Sequence, residues 1–127
     1  MDEKPQYRIE VRAEPTYIAE QSEPQADRYV FAYTITIRNV GSVGAQLLRR
    51  RWQITDARGA VQEVRGIGVV GEQPHLAPDE EYHYTSGTVI ATPVGSMEGS
   101  YQLVADDGTE FDAPIPGFTL SAPHALH

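Results

Sequence analysis

The amino-acid sequence predicts an all-β fold, an antiparallel β-sandwich of seven or eight short strands. Apolar residues recur at every second position in most segments, as in strands that bury one face. No helical period persists over ten residues anywhere. Turn residues divide the alternating segments at short intervals, and two sheets built from such strands bury their apolar faces against each other.

The first two strands are predicted from regular alternation. In residues 7–14, apolar Tyr7, Ile9, Val11 and Ala13 alternate with charged Arg8, Glu10, Arg12 and Glu14. Residues 29–38 carry the strongest strand pattern of the chain, because they are rich in the aromatic and β-branched residues that suit a pleated surface. The Asn-Val-Gly-Ser segment at 39–42 ends this second strand with turn chemistry.

The third strand is predicted to run to Asp56 and to contain an irregularity. Leu48, Trp52 and Ile54 continue one apolar face, but Arg50 falls on that same face. A charged residue at such a position breaks the alternation, which indicates a β-bulge or a strand end near Arg50. Trp52 is the expected aromatic anchor of the core.

Turn residues place the remaining strands. Residues 56–59 form a turn before a short strand through 61–64, and residues 77–80 lead into the next strand. Asp107-Gly108 joins the last hairpin, because this dipeptide between alternating segments is a strong hairpin signal. Residues 93–99 are predicted to be a loop, and Pro116-Gly117 is predicted to kink the chain.

The composition indicates a single domain over residues 1–127, with loose tails at about 1–6 and 121–127. A chain of 127 residues is long enough to bury about two-thirds of the surface that its unfolded form exposes. The absence of cysteine excludes disulfides and cysteine-based sites and is compatible with the cytoplasm, where we expect the protein. No secretory signal pattern or membrane-length apolar run is visible. The net charge of −8 argues against binding to nucleic acid or to an anionic membrane.

The segment Gly66-Ile67-Gly68-Val69-Val70-Gly71 matches the glycine pattern that holds the pyrophosphate of a dinucleotide. In dinucleotide-binding proteins these glycines end a strand and begin a helix, whose amides face the phosphates. Pro74 and Pro78 argue against a helix here, because a proline inside a helix removes a donor and clashes with the preceding turn. Two interpretations remain: a phosphate-binding nest of backbone amides, or a tight structural or partner-contacting loop whose positive φ angles require glycine. We favour the second.

Two groups of side chains are candidate metal ligands: Asp106, Asp107, Glu110 and Asp112 around the last hairpin, and His75, His83, His124 and His127. A hard cation requires about six oxygen ligands that converge from a shaped loop. Asp106-Asp107-Gly108 is more simply explained as a turn, and the histidines lack a third partner at a suitable spacing. No metal and no cofactor is expected.

Two further motifs have a catalytic or a nucleic-acid interpretation. His83 and Ser86 are three residues apart, so on a strand they point to opposite faces and do not form a base–nucleophile pair; no catalytic residue is predicted. In Arg49-Arg50-Arg51 the outer two arginines share a face and Arg50 points the other way. Nucleic acid requires a broader basic surface, often with stacking aromatics, so ion pairs or a partner contact are expected instead.

Six segments of the chain resemble the ApaG family of bacterial proteins. They are YRIEV at the first strand, RYVFAYTITIRNVG at 28–41, RRRWQITDARG at 49–59, GIGVVGEQPHLAPDEEYHYTSG at 66–87, MEGSYQLVADDGTEF at 97–111, and the final IPGFTL. The resemblance implies an immunoglobulin- or fibronectin type III-like sandwich. It also implies a bacterial cytoplasmic protein that is linked to cobalt resistance and magnesium efflux and has no established catalytic activity. Related domains of larger eukaryotic proteins look like interaction modules.

The sequence therefore predicts a non-catalytic binding module for an unidentified protein partner. The expected contacts are the glycine loop 66–71, the adjoining residues 72–74 and an exposed sheet edge, which is a general way to bind extended peptides. The alternative is a module that binds phosphate, pyrophosphate or a nucleotide at the glycine loop. A hydrolase of dinucleotides is a third possibility, but nothing supplies its general base, nucleophile or metal ligands.

Overall fold

The computed structural model describes residues 5–123 and consists of eight strands with two short 3-10 turns, Ala19–Gln21 and Pro24–Ala26, before the second strand. The strands are β1 (Ile9–Tyr17), β2 (Tyr29–Asn39), β3 (Ala45–Asp56), β4 (Val61–Ile67), β5 (His75–Leu76), β6 (Glu81–Ile90), β7 (Val94–Ala105) and β8 (Glu110–Ser121). All pairings are antiparallel. The predicted fold class is confirmed.

The strands form two sheets. One has the order β1-β2-β6, and the other has the order β4-β3-β7-β8, with the short β5 pairing with β3 beyond the end of β4. β1 packs against β8, and the Tyr7 and Phe111 rings meet there with centroids 5.5 Å apart. The sandwich is therefore closed where β1 meets β8, and β4 and β6 are the sheet edges on its other side.

The core lies between the sheets and is centred on Trp52, as predicted. Trp52 is 2% exposed and makes edge-to-face contacts with Tyr33 at 5.3 Å and Phe118 at 5.9 Å between ring centroids. Such pairs add to the energy of burial through the ring quadrupoles. Nearby, the hydroxyl groups of Tyr84 and Tyr101 satisfy each other across the two sheets, 2.5 Å apart.

The predicted bulge in the third strand exists, but it changes which leucine is buried. The register of β3 against β7 shifts between Leu47 and Arg49. Leu47 is fully buried and Leu48 only partly, so the prediction that Leu48 shares the face of Trp52 is wrong. One extra residue reverses the alternation before it, which puts Leu47 on the same face as Trp52. Arg50 follows the bulge and lies two residues before Trp52, so it shares that inward face.

One other prediction differs from the structure. Residues 94–99, predicted to be loop, belong to β7, since pairing on both sides continues through them. Pro116 and Gly117, predicted to kink the chain, lie within β8 where its register against β7 shifts, as at a β-bulge that bends the strand. Of the tails expected to be loose, Ser121 ends β8, Ala122 is buried, and Gln6 accepts a hydrogen bond from Val43. Residues 1–4 and 124–127 of the predicted tails lie outside the described residues.

Candidate functional site

The glycine motif spans the end of a strand and a tight turn. Gly66 and Ile67 are the last residues of β4, so the predicted loop begins only at Gly68. Val69 and Glu72 exchange two backbone hydrogen bonds of 2.8 and 2.9 Å. No helix follows, in agreement with the argument from the prolines, and the chain continues to the short β5.

Two of the motif's glycines have clear structural roles. A Cβ on Gly66 would lie 2.6 Å from the guanidinium carbon of Arg50. Gly68 has φ +64°, and a Cβ there would lie 2.2 Å from the Glu72 carbonyl oxygen. Arg50 Nη1 donates to the carbonyls of Ile67 and Gly68 at 3.2 and 2.8 Å. The inward arginine therefore fixes the end of β4, which explains its place on an apolar face.

Backbone amides of the motif and of the adjoining Glu72 already have partners within the protein. The Gly68 amide donates to Leu48, Val69 donates to Glu72, and Glu72 donates to Val69. An anion nest needs successive amides that are free to point at the ligand. Three amides of this segment are therefore committed to the turn and to the bulge of β3.

Exposed apolar side chains concentrate on the side of the sandwich away from the β1–β8 contact. We call this region the open side and define it as β4, the turn 68–72 and the end of β6. All the large hydrophobic side chains found exposed in residues 5–123 lie there: Val61, Val64, Ile67 at 71%, Val70 at 55%, and Val89. Val61 and Val89 line one cleft of about 340 Å³ between β4 and β6. Such a concentration is typical of an interaction surface.

Val70 has an unfavourable backbone conformation. Its φ is +42°, and Gly71 after it has φ +81°, so both central residues of the turn have the positive φ that type I′ turns require. Asparagine or glycine is usual at such a position, whereas a β-branched residue there is an outlier that costs energy. The sequence thus keeps an exposed, strained valine at the tip of the open side.

The arginine run lies beside the open side and belongs to a larger basic feature. Arg49 and Arg51 lie opposite Ile67 and Arg65 of β4, and opposite Gln102 and Ser100 of β7. These residues with Asp112 line a groove of about 600 Å³ on the outer face of the larger sheet. We call it the arginine groove.

The spacing of the arginines predicts the opposite orientation of Arg50. It does not predict the groove, because only the register between strands brings Arg65, Ser100 and Gln102 to the same place. Alternation in β4 puts Arg65 on one of its faces and gives no indication of what lies beside it.

Glu63 is the carboxylate that pairs with two arginines of the groove, Arg51 and Arg65. Its Oε1 accepts hydrogen bonds from Arg65 Nε at 2.6 Å and from Arg51 Nε at 3.4 Å. The hydrogen bond and the charge of Arg65 hold the pKa of Glu63 below its usual value. Arg49 is exposed and forms no ion pair with another described residue.

Three of the candidate metal ligands, His75, Asp106 and Asp107, have partners within the protein. His75 Nε2 lies 2.8 Å from Asp106 Oδ1, while Asp107 caps the turn through the Thr109 amide and accepts a hydrogen bond from Tyr7. The Tyr7 hydroxyl lowers the pKa of Asp107. Within residues 5–123 no three His, Asp or Glu side chains converge as metal ligands; His124 and His127 lie outside that range.

His83 and Ser86 lie three residues apart on β6, opposite Thr36 and Tyr33 of β2. Their side chains therefore point to opposite faces of the sheet, as expected from their spacing.

Comparison with known proteins agrees with this architecture. The sequence model of the ApaG domain matches residues 19–105. The chain belongs to the ApaG domain family. It is 61% identical to the ApaG protein of Thiobacillus denitrificans and 58% identical to that of Dechloromonas aromatica, in each case over the full length of both chains. The crystal structure of an ApaA protein from Bordetella pertussis superimposes with a TM-score of 0.93 at 48% identity, covering 96% of this chain and 99% of that one.

The ApaG domain matched by the family model contains the whole glycine motif and the arginine run, since residues 19–105 include both. β1 and β8 lie entirely outside the matched range. Among the described residues, no helix is long and apolar enough to cross a membrane.

Proposed function

We propose that this ApaG domain is a non-catalytic module that binds a protein partner through the open side. The observation that carries the proposal is the concentration there of the exposed large hydrophobic side chains, from Val61 to Val70 on one sheet and Val89 on the other. Burying such side chains on a partner stabilises the complex by about 25 cal/mol for each Å² of apolar surface that is removed from water. The protein gains nothing from their exposure in the free state.

The edge of β4 suits an extended partner segment. β4 pairs only with β3 among the described strands, so its other edge presents backbone donors and acceptors. The edges on the closed side carry prolines, Pro15 in β1 and Pro114 and Pro116 in β8, which discourage the addition of another strand. β4 has no proline. An added strand would gain ladder hydrogen bonds and contact Val61 and Ile67 on one face of the sheet and Val64 on the other.

The strained valine supports the same assignment. An exposed β-branched residue at positive φ lowers the stability of the turn and has no compensating contact in the core. Strain of this kind is concentrated at functional sites. A role of the Val70 side chain in binding would explain why it stands where asparagine would be more stable.

The alternative function, binding of phosphate or nucleotide by the glycine motif, is less well supported. The amides of Gly68 and Val69 already donate within the protein, and no helix of the described residues points its dipole at the loop. The expected link to cobalt resistance and magnesium efflux does not require direct metal contact, because a protein partner can carry it. We place the protein in the cytoplasm on the same expectation.

A site-specific photo-crosslinker tests the proposal in the cells that produce the protein. We expect a discrete crosslinked protein when the probe replaces Val64 or Ile67, whose side chains are exposed. The same probe at Glu14 or Pro116, which are exposed on the closed side, should give none. Because all four positions are solvent-exposed, failure to fold should not confuse the comparison.

A matched variant controls for non-specific capture. Val70→Asn keeps the turn and removes the apolar tip, so we expect it to reduce the crosslink formed at position 67. Equal labelling from both sides of the sandwich, or labelling only from Glu14 and Pro116, would show that the open side is not the partner surface. A crosslink to a second copy of the chain would identify the partner as the protein itself.

A further inference from the structure

We propose that the arginine groove is a binding site for acidic side chains of a polypeptide, and that it selects a partner segment rich in aspartate or glutamate. The inference rests on the proposed function, because the same partner segment would lie along β4. It adds the chemical class of that segment. Four of the ten lysine and arginine residues in a chain of net charge −8 line the groove, and three of them, Arg49, Arg51 and Arg65, lie on the outer face of the sheet.

The spacing of the arginines suits an extended peptide. Arg49 and Arg51 are two residues apart on one face of β3, and Arg65 lies directly opposite Arg51 on β4. Side chains two residues apart on a strand are separated by about 6.7 Å, and neighbouring strands by about 4.8 Å. A strand added at β4 therefore presents alternate side chains with the same repeat as the arginines, on the same face of the sheet. Arg65 is the nearest cation to such a strand.

The protein itself shows which chemistry these arginines accept. The single Glu63 carboxylate oxygen receives hydrogen bonds from both Arg51 and Arg65. An arginine guanidinium has five donors in a planar fork, so these contacts leave capacity for a second carboxylate. Glu63 acts as an internal competitor for the site, while Arg49 remains without an ionic partner among the described residues.

The lining of the groove favours carboxylates over nucleic acid. No aromatic side chain lines it, whereas proteins that bind single strands rely on stacked bases as well as on cations. Asp112 at one end repels a continuous phosphate backbone but is compatible with a peptide that carries separated acidic side chains. Ser100 and Gln102 supply neutral hydrogen-bonding groups between the strands.

The test is a backbone amide NMR titration of the whole chain with two capped ten-residue peptides. One alternates aspartate with threonine, a good strand former, and the other has asparagine in place of each aspartate. We expect the acidic peptide to bind at least about tenfold more tightly, with shifts in β4 and at Arg49, Arg51, Ser100 and Gln102. Binding should weaken as salt shortens the Debye length from about 30 Å at 0.01 M to about 8 Å at 0.15 M.

Three variants make the test specific. Arg65→Gln should weaken acidic-peptide binding by about fivefold, as expected for loss of one exposed ion pair. Glu63→Gln removes the internal competitor and should tighten it. Arg12→Gln makes the same charge change on the outer face of the smaller sheet, where Arg12 lies beside Glu10 and Glu81, and should leave the affinity unchanged. The amide spectra of these surface variants also report that they are folded.

The remaining outcomes overturn the inference in distinguishable ways. Equal binding of both peptides along β4, unaffected by Arg65→Gln, would remove the acidic selectivity and leave the proposed edge binding standing. Absence of binding by either peptide would overturn the inference, and the crosslinking experiment would then decide the proposed function alone. Tighter binding of inorganic phosphate or of a ten-nucleotide thymidine strand in the groove would replace the acidic peptide with a phosphate ligand.

Discussion

The two sides of the sandwich differ in how their sheet edges are protected. On the closed side, β1 packs against β8, Tyr7 meets Phe111, and prolines interrupt both edges. On the open side, β4 and β6 flank a cleft, and neither strand contains a proline. Exposed strand edges are a liability for aggregation that proteins usually suppress. Because the edges at β1 and β8 are protected while those at β4 and β6 carry exposed apolar side chains, we infer that the open side has a role in binding.

The two sides also differ in how much they contribute to the stability of the fold. Ile9 and Val11 of β1 are buried, whereas Val61 and Val64 of β4 are exposed. The closed side is part of the folding core, and the open side contributes little to it beyond the ladder of β4 with β3. The following predictions test this contrast.

The largest effect is expected from Gly68, which supports the open side from within. Gly68→Ala should lower the free energy of unfolding by about 3 kcal/mol, because it combines positive φ with a backbone clash. Gly71→Ala is the matched control: its φ is +81°, but a Cβ there has no neighbour within 4 Å, so only about 1 kcal/mol is expected. Chemical denaturation measures both, and equal losses would show that the contact with Glu72 is unimportant.

Two valines on the two edge strands give the most direct comparison. Val11→Ala on the closed side should cost about 2 kcal/mol, the value of a buried valine side chain. Val61→Ala on the open side should change the free energy of unfolding by less than about 0.5 kcal/mol, as for other exposed positions. Urea unfolding of the two variants measures both changes in the free energy of unfolding. A similar cost at both positions would mean that the open side is part of the core.

Alkaline pH should weaken the interior that both sides share. Burial raises the pKa of Tyr84 to about 12 and raises that of Tyr101 as well. Because both values lie above the unfolded value of about 10, this stability is fully present below pH 10 and is lost as pH rises through the folded values. The expected slope above pH 10 is roughly 1 kcal/mol per pH unit for each tyrosine.

The control for the alkaline loss is Tyr84→Phe, which removes one of the two ionising groups. Its free energy of unfolding should fall less steeply between pH 10 and 12 than that of the natural chain, even if it is lower at neutral pH. Parallel pH dependences of the two proteins would argue against ionisation of Tyr84 as a cause.

The smallest expected effect is an increase in stability. Val70→Asn should raise the free energy of unfolding by about 0.5–1 kcal/mol, because asparagine tolerates the positive φ that the turn imposes. Thermal unfolding measures the gain, and crosslinking measures the accompanying loss of partner contact. A variant that is both more stable and fully active in binding would show that Val70 has no role on the open side.

The alternation of apolar residues was sufficient to predict the sandwich, since a period of two with turn residues between segments leaves few other ways to bury one face. It also predicted Trp52 as the aromatic anchor and the Asp107-Gly108 hairpin. The predicted ends of the strands were less accurate than the predicted fold class. The pattern did not show that residues 94–99 are a strand, because glycine and serine there are tolerated by close backbone packing, as at Gly99 against the Arg51 carbonyl.

The position of the bulge shows why local pattern was insufficient in the third strand. Arg50 among apolar residues indicated an irregularity, but only pairing with β7 determined that Leu48 is the extra residue. Every side chain before the bulge then changes face. The same limitation applied to the glycine motif, whose match to a phosphate-binding pattern is local, whereas its hydrogen bonds to Leu48 and Arg50 come from another strand.

By itself, the sequence determined the fold class, the family and the residues that need turns, because these depend on short-range periodicity and backbone preference. Tertiary structure alone decided that β4 is an open edge, that the exposed valines share one side, and that Arg65 joins Arg49 and Arg51. The reason is physical: contacts between strands depend on sheet order and register, and neither is encoded in the spacing of residues along one strand.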